Sequence, residues 1–137
     1  MTTLSAARER RLLQITIALA GFVPVGAGLL GGLLGSAMTG DPVASISIDS
    51  HVRYLSGLLL GIGLAFWECI PQIEQRGSRV RLLTAIVFLG GVMRLIGLIS
   101  VGVPGGGMVF GLCMELVVTP LVCLWQRRVS RRYGLGI

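Results

Sequence analysis

Residues 82–126 read LLTAIVFLGGVMRLIGLISVGVPGGGMVFGLCMELVVTPLVCLWQ, which is two apolar runs joined by a glycine-rich turn. The runs, 82–101 and 108–126, each approach the ~20 residues that an α-helix needs to cross a bilayer. Each run holds one ionisable residue in its interior, Arg94 in the first and Glu115 in the second. Because a charged side chain in hydrocarbon is costly, it usually faces a protein interior beside a partner. The segment therefore predicts two antiparallel membrane helices with a polar pair between them.

The two charged residues are expected at the same depth. At ~1.5 Å per residue, Arg94 and Glu115 each lie roughly 12 Å from the end of their helix at the connecting turn. A direct contact across the hairpin follows from this placement. Gly90 and Gly97 lie one helical turn on either side of Arg94 and leave room beside its guanidinium. Two interpretations stay open: a structural pair that fixes the register of two helices, or part of a ligand site.

The composition extends this interpretation to the whole chain. The 137 residues are 53% hydrophobic and 13% charged, with a mean hydropathy of +0.84. A soluble domain of this size could not bury so much apolar surface, so we predict an all-α integral membrane four-helix bundle. The whole chain, residues 1–137, is predicted to be a single domain with spans at about 12–35, 52–70, 82–101 and 108–126.

The basic residues predict the orientation of the chain in the membrane. All twelve are arginine, and ten of them flank the same side of the four spans. These are Arg8, Arg10, Arg11, Arg76, Arg79, Arg81, Arg127, Arg128, Arg131 and Arg132. The positive-inside rule then places both termini in the cytoplasm, as expected for a multi-pass protein of a bacterial inner membrane. Aromatic residues do not alternate with these arginines, so no nucleic-acid partner is predicted.

No pattern of catalytic residues is present. The sequence has no Ser/His/Asp set, no HExxH motif and no thiol pair beside a base, so we predict no catalytic residue and expect no enzymatic activity. Cys69, Cys113 and Cys123 are isolated within apolar segments and lack metal-ligand spacing. They are expected to pack as small hydrophobic residues with free thiols. Neither a metal nor a cofactor is predicted.

A second polar group lies at the outer end of the second span. Arg53 begins that span, and Asp49 is placed to cap the helix and to pair with Arg53. From this end Arg53 could extend toward Arg94, or it could reach outward to water. The first arrangement predicts a positively biased pocket, open toward the outer side. Its predicted ligand-binding residues are Arg53, Arg94, Glu115, Asp49, His51 and Tyr54.

Four sequence elements carry a family resemblance. They are residues 49–57 (DSHVRYLSG), residues 87–95 (VFLGGVMRL), residues 102–104 (GVP), and Glu115-Leu followed by Pro120. In order and spacing these elements resemble the domain-of-unknown-function family 4345, which comprises small bacterial four-helix membrane proteins. The resemblance extends from about Leu12 to Trp125. It implies a four-helix inner-membrane protein, marks Arg53, Arg94 and Glu115 as positions of the family pattern, and brings no activity with it.

The predicted function is to bind a ligand within the membrane. In this interpretation the Arg53, Arg94 and Glu115 cluster holds the polar head of an amphipathic ligand, such as a lipid, a quinone or an isoprenoid. An alternative is an accessory or structural subunit of a larger membrane complex or of a homo-oligomer, because glycine-rich helix faces suit close packing. A membrane enzyme that acts on a lipid is a third interpretation. The bilayer is a partner in every case.

The predicted topology can be tested with reporter fusions. A reporter at Ile137 is expected to show a cytoplasmic location, and one inserted between Ser36 and Asp49 a location outside the cytoplasm, because the arginine-rich segments stay inside. An alkaline phosphatase fusion reports a location outside the cytoplasm, and a green fluorescent protein fusion reports a cytoplasmic one. A C-terminus on the outer side would rule out this topology.

Overall fold

The computed structural model describes residues 3–40 and 45–135, and these ranges contain four long helices and no strand. The helices are α1 (Thr3–Leu34), α2 (Ile46–Cys69), α3 (Gly77–Val101) and α4 (Gly106–Arg132). Single 3-10 turns follow α1 and α2, at Gly35–Thr39 and Ile70–Gln72. Each of the four helices is long enough and apolar enough to cross a membrane. The predicted all-α membrane architecture is confirmed.

The helices extend beyond the predicted spans. α1 begins at Thr3 and α4 ends at Arg132, whereas the spans were predicted at 12–35 and 108–126. Hydropathy marks only the part of a helix that suits hydrocarbon, and the flanking Arg, Ala and Glu residues are themselves good helix formers. Residues 41–44 of the predicted loop between the first two spans lie outside the described residues.

The chain divides into two compact units. One consists of Thr16–Glu68, and the other of Met1–Ile15 together with Cys69–Ile137. The first unit, called the α1–α2 unit below, contains most of α1 and α2. The second, called the α3–α4 unit, contains the start of α1 with α3 and α4. The prediction of a single domain for residues 1–137 stays a prediction.

Glycine allows the two helix backbones of the α1–α2 unit to touch. A Cβ atom on Gly28 would lie 2.6 Å from the backbone nitrogen of Leu60, and one on Gly63 would lie 2.7 Å from Cγ2 of Val25. Only a residue without a side chain permits such an approach. Gly28 and Gly63 are therefore the glycines at which these two helices make close contact. Space is open beside Gly32, Gly57 and Gly61.

A tryptophan joins the other end of the same two helices. The indole Nε1 of Trp67 donates a hydrogen bond of 3.1 Å to the carbonyl of Ala18. Its ring meets Phe22 edge to face, with centroids 5.0 Å apart. A side chain on Gly21 would collide with the indole. Ring packing and a satisfied N–H thus hold α2 against α1 at this level.

In the α3–α4 unit, side chains satisfy the carbonyl groups of the connection between α2 and α3. Helix ends leave such carbonyls without partners inside the helix. Two donors come from α1 and two from α4: Gln14 to Ile70 (2.7 Å), Arg10 to Pro71 (2.7 Å), Gln126 to Ile73 (2.8 Å), and the hydroxyl of Ser130 to Glu74.

The most deeply buried side chains of this unit surround the same connection. They are Leu13, Cys69, Ile73, Val80, Gln126 and Val129. Arg10 also forms a 2.6 Å ion pair with Glu74, whose side chain is only 11% exposed. An apolar core and a satisfied polar network therefore coincide at one end of the unit, which fixes the start of α1 and the end of α4 against the connection.

Alanine substitutions at Gly28 and Gly32 should change stability in opposite directions. At Gly28 the new methyl group forces α1 and α2 apart, and overpacking of this kind costs about 1–3 kcal/mol. At Gly32, one turn further along the same helix, the methyl group enters open space and gains up to about 1 kcal/mol of helix propensity. Thermal unfolding in mild detergent measures both. A shift of the same sign in both variants would contradict the described packing.

Candidate functional site

Arg94 and Glu115 form a two-point ion pair in the α3–α4 unit. Nε of Arg94 donates to Oε2 of Glu115, and Nη2 donates to Oε1, each at 3.0 Å. The direct contact expected from their equal depth is present. A guanidinium and a carboxylate that meet through two parallel hydrogen bonds are fixed in relative orientation as well as in distance.

The pair depends on a close approach between α3 and α4. The turn after α3 passes through Gly102, which has a φ of +128° and donates its N–H to the carbonyl of Leu98. Further into the hairpin, a Cβ atom on Gly91 would lie 2.9 Å from Cβ of Glu115. Glycine at position 91 therefore lets α4 come close enough for Glu115 to meet Arg94.

The glycine that packs beside Arg94 and Glu115 is one that the sequence does not single out. Gly90 and Gly97 both border open space, whereas Gly91 is buried at the helix contact. Gly91 precedes Arg94 by three residues and Gly90 by four, and both separations place a residue on the same side of a helix. Spacing alone could not choose between them, because the choice depends on the rotation of α3 about its axis.

Glu115 lies in a π-helical segment of α4, Met114–Val118. Pro120, just after this segment, has no N–H and so cannot continue the regular hydrogen-bond pattern. The hydroxyl of Thr119 donates to the carbonyl of Met114 at 2.8 Å and satisfies one group in the irregular turn. Such π-bulges inside α-helices are frequent at functional sites.

The remaining edge of the guanidinium has weak contacts. Nη1 of Arg94 lies 2.9 Å from the sulfur of Met108, and a thioether is a poor hydrogen-bond acceptor. The side chain of Arg94 is 33% exposed, whereas that of Glu115 is 17% exposed. Glu115 thus holds one edge of the guanidinium, and Nη1 on the other edge meets only a weak acceptor among the contacts of the described residues.

Arg53 and Asp49 form a second ion pair, in the α1–α2 unit. Nε of Arg53 donates to Oδ2 of Asp49 at 2.8 Å, as the four-residue spacing predicts. Nη1 of Arg53 also donates to the carbonyls of Gly32 and Leu33, at 2.8 and 3.0 Å. Oδ1 of Asp49 accepts from the backbone N–H of Ser36 at 2.8 Å. The pair therefore satisfies the end of α1 and ties it to α2.

Two details of this corner differ from expectation or were missed. The prediction that Asp49 caps α2 is wrong, because the helix begins at Ile46 and the hydroxyl of Ser45 accepts the N–H of Ile48 at 3.3 Å. Gly35, with a φ of +60°, lies against Asp49, and any side chain there would collide with the carboxylate.

The other candidate residues are placed at the surface. His51 and Tyr54 are exposed, Tyr54 at 63%, and neither side chain has a hydrogen bond within residues 3–40 and 45–135. The structure joins Arg94 to Glu115 and Arg53 to Asp49, in different compact units. The prediction that all of these residues line one pocket stays a prediction.

Metal-binding groups are not assembled in the described part of the chain. Within it, no three side chains of His, Cys, Asp or Glu come together to hold a metal ion. Cys69 and Cys123 are buried and Cys113 is exposed, and the three form no disulfide among the described residues.

Four long apolar helices with an arginine–glutamate pair inside the α3–α4 hairpin define a small multi-pass membrane protein. The chain belongs to the family described as Domain of unknown function (DUF4345), whose model matches residues 12–126. No curated protein and no solved structure matches the chain.

Coupling between Arg94 and Glu115 should appear in a double-mutant cycle. Removing one member of a buried pair costs about 3–5 kcal/mol, and the partial exposure of Arg94 favours the lower end of this range. Arg94→Ala and Glu115→Ala should each lower the unfolding temperature in detergent, and the double variant should recover part of the loss. Effects that simply add would show that the two side chains do not interact.

Proposed function

We propose that this protein binds the polar head of an amphipathic ligand at the Arg94–Glu115 pair and has no catalytic activity. The observation that supports this most directly is the contact of Nη1 of Arg94, which meets the weak acceptor sulfur of Met108. The corresponding donors of Arg10 and Arg53 bond backbone carbonyls instead. Here the carboxylate is sheltered, and the guanidinium keeps donors for a further acceptor.

The surroundings of the guanidinium leave space for such a ligand. Gly90 and Gly97 border open space on the helix that carries Arg94. Met108, which contacts Nη1, is a flexible and polarisable side chain that adapts to different neighbours. A head group can displace this thioether and gain stronger hydrogen bonds than the sulfur provides.

The charge of the pair indicates the chemistry of the head group. Arg94 and Glu115 together are neutral, so an anionic ligand would bring an uncompensated charge into an apolar region, which is costly. A carbonyl or hydroxyl oxygen accepts the free N–H groups without adding charge. We therefore favour a quinone or the ester carbonyl of a lipid over a free anion at this pair.

The other predicted site residues have a secondary place in this proposal. Arg53 and Asp49 are engaged at the end of α1, which gives them a structural role without any ligand. The assignment of His51 and Tyr54 as ligand-binding residues stays a prediction. The proposed location is a bacterial inner membrane, with both termini in the cytoplasm and the site open toward the outer side, in accord with the arginine distribution.

Native mass spectrometry from a mild detergent tests the proposal. We expect a small molecule bound to the wild-type protein and absent from the Arg94→Met/Glu115→Leu variant, because an apolar pair preserves packing but cannot donate hydrogen bonds. Added decylubiquinone should bind the wild-type protein and compete with the natural ligand.

The control variant removes a different ion pair of the same unit. Glu9→Gln/Arg128→Gln deletes the 3.0 Å pair of Glu9 with Arg128, and with it the 2.7 Å pair of Glu9 with Arg132, at the far end of α4, and it should retain the ligand. A folded Arg94→Met/Glu115→Leu variant that binds as well as wild type would show that the pair is structural only. A protein that co-purifies in place of a small molecule would favour an accessory subunit.

A further inference from the structure

A polar cavity of about 360 Å³ lies in the α3–α4 unit, between the start of α3 and the last turns of α4. Three arginines, a serine, a glutamine and a glycine form most of its wall: Arg81, Arg127, Arg131, Ser78, Gln126 and Gly77. Within the part of the chain that the structure describes, no Asp or Glu lines it. Along α3 it lies about 25 Å from Arg94, so it is separate from the ion pair described above.

The arginines of α4 divide between two faces of the helix. Arg128 and Arg132 both pair with Glu9, at 3.0 and 2.7 Å. Arg127 and Arg131, also one turn apart, line the cavity instead, and neither has a carboxylate partner among the described residues. Like charges one turn apart repel each other. An anion between them would remove this repulsion.

The start of α3 adds further donors. Its first amide N–H groups have no partner inside the helix, as at every helix start, and no side chain caps them. The helix dipole is positive at this end and favours an anion. The guanidinium of Arg81 is held by a 3.0 Å hydrogen bond to the hydroxyl of Ser78. A Cβ atom on Gly77 would lie 3.3 Å from Nη1 of Arg81, so glycine leaves the cavity floor clear.

Gln126 provides an independent indication of a ligand. Its side chain is fully buried, and Nε2 donates to the carbonyl of Ile73, which fixes the orientation of the amide. The other atom of the amide, Oε1, has no hydrogen-bond partner among the described residues. It lies 3.5 Å from the position that a Cβ atom on Gly77 would take, and both residues line the cavity. A buried acceptor in this state needs a donor such as a hydroxyl group.

We propose that this cavity binds a phosphate group that carries a neighbouring hydroxyl, as in a glycerophosphate. The guanidinium groups of Arg81, Arg127 and Arg131 and the first amides of α3 bind the phosphate oxygens. Oε1 of Gln126 accepts the hydroxyl. The phosphate comes either from the head group of an anionic lipid or from a soluble phosphate ester.

Lipid and soluble probes distinguish the two sources. Delipidated protein in an uncharged detergent is titrated with phosphatidylglycerol or with phosphatidylcholine of the same chains, and bound lipid is counted by native mass spectrometry. In parallel, glycerol 3-phosphate is added and the unfolding temperature is measured. Preferential retention of phosphatidylglycerol assigns a lipid source. Stabilisation by glycerol 3-phosphate without lipid retention assigns a soluble one. Binding of neither probe overturns the proposal.

Matched arginine variants separate the cavity from general surface charge. Arg127→Gln/Arg131→Gln should weaken binding at least about tenfold, since each removes charged hydrogen bonds. Without ligand this variant should be as stable as wild type or more so, because a repulsion is lost. Arg8→Gln/Arg11→Gln removes the same charge from exposed positions of α1 and should weaken binding less than about twofold. An equal loss in both variants would contradict a specific site.

A variant that places its own carboxylate in the cavity provides a second test, and this variant is expected to gain stability rather than lose it. Ser78→Asp puts a carboxylate in the first turn of α3, where it interacts favourably with the helix dipole and with Arg81. The variant should unfold at a higher temperature than wild type and should no longer bind either phosphate probe. Undiminished binding by Ser78→Asp would show that the phosphate does not occupy this cavity.

Discussion

Backbone carbonyl groups at the ends of membrane helices must find donors, and in this protein long polar side chains provide them. The last carbonyls of a helix have no partner inside the helix, and such a polar group costs free energy when it is shielded from water without a hydrogen bond. Arg53 therefore closes the end of α1, while Gln14, Arg10, Gln126 and Ser130 satisfy the connection between α2 and α3. A chain with only 13% charged residues thus uses several of its polar side chains to satisfy carbonyl groups at the ends of its helices.

The Arg94–Glu115 pair differs from these contacts because neither residue satisfies a helix end. It lies within the α3–α4 hairpin, beside the close helix contact at Gly91, and Glu115 belongs to the π-helical segment of α4. Burying two charges is expensive even when they are paired, and an apolar replacement often stabilises a protein. A pair of this kind is consistent with a role other than stability. The partial exposure of the Arg94 side chain favours ligand binding as that role.

The arginines have several distinct physical roles although they are one residue type. Arg10 and Arg53 bond backbone carbonyls, and Arg128 and Arg132 neutralise Glu9. Arg81, Arg127 and Arg131 gather around a cavity that has no acid. The planar guanidinium suits all of these roles, because it binds carbonyls, carboxylates and phosphates through directed N–H groups. This versatility offers one physical reason for a chain that has twelve arginines and no lysine.

The sequence by itself determined the four helices, the short α3–α4 turn and the contact between Arg94 and Glu115. Hydropathy, turn residues and the rise per residue are local properties, so position along a helix is predictable. Only the tertiary structure decided that Gly91 rather than Gly90 packs beside the pair, that Arg53 closes α1, and that Arg127 faces a cavity while Arg128 faces Glu9. Neighbouring positions of a helix differ by about 100° in direction, and the rotation of each helix is set by the packing of its neighbours.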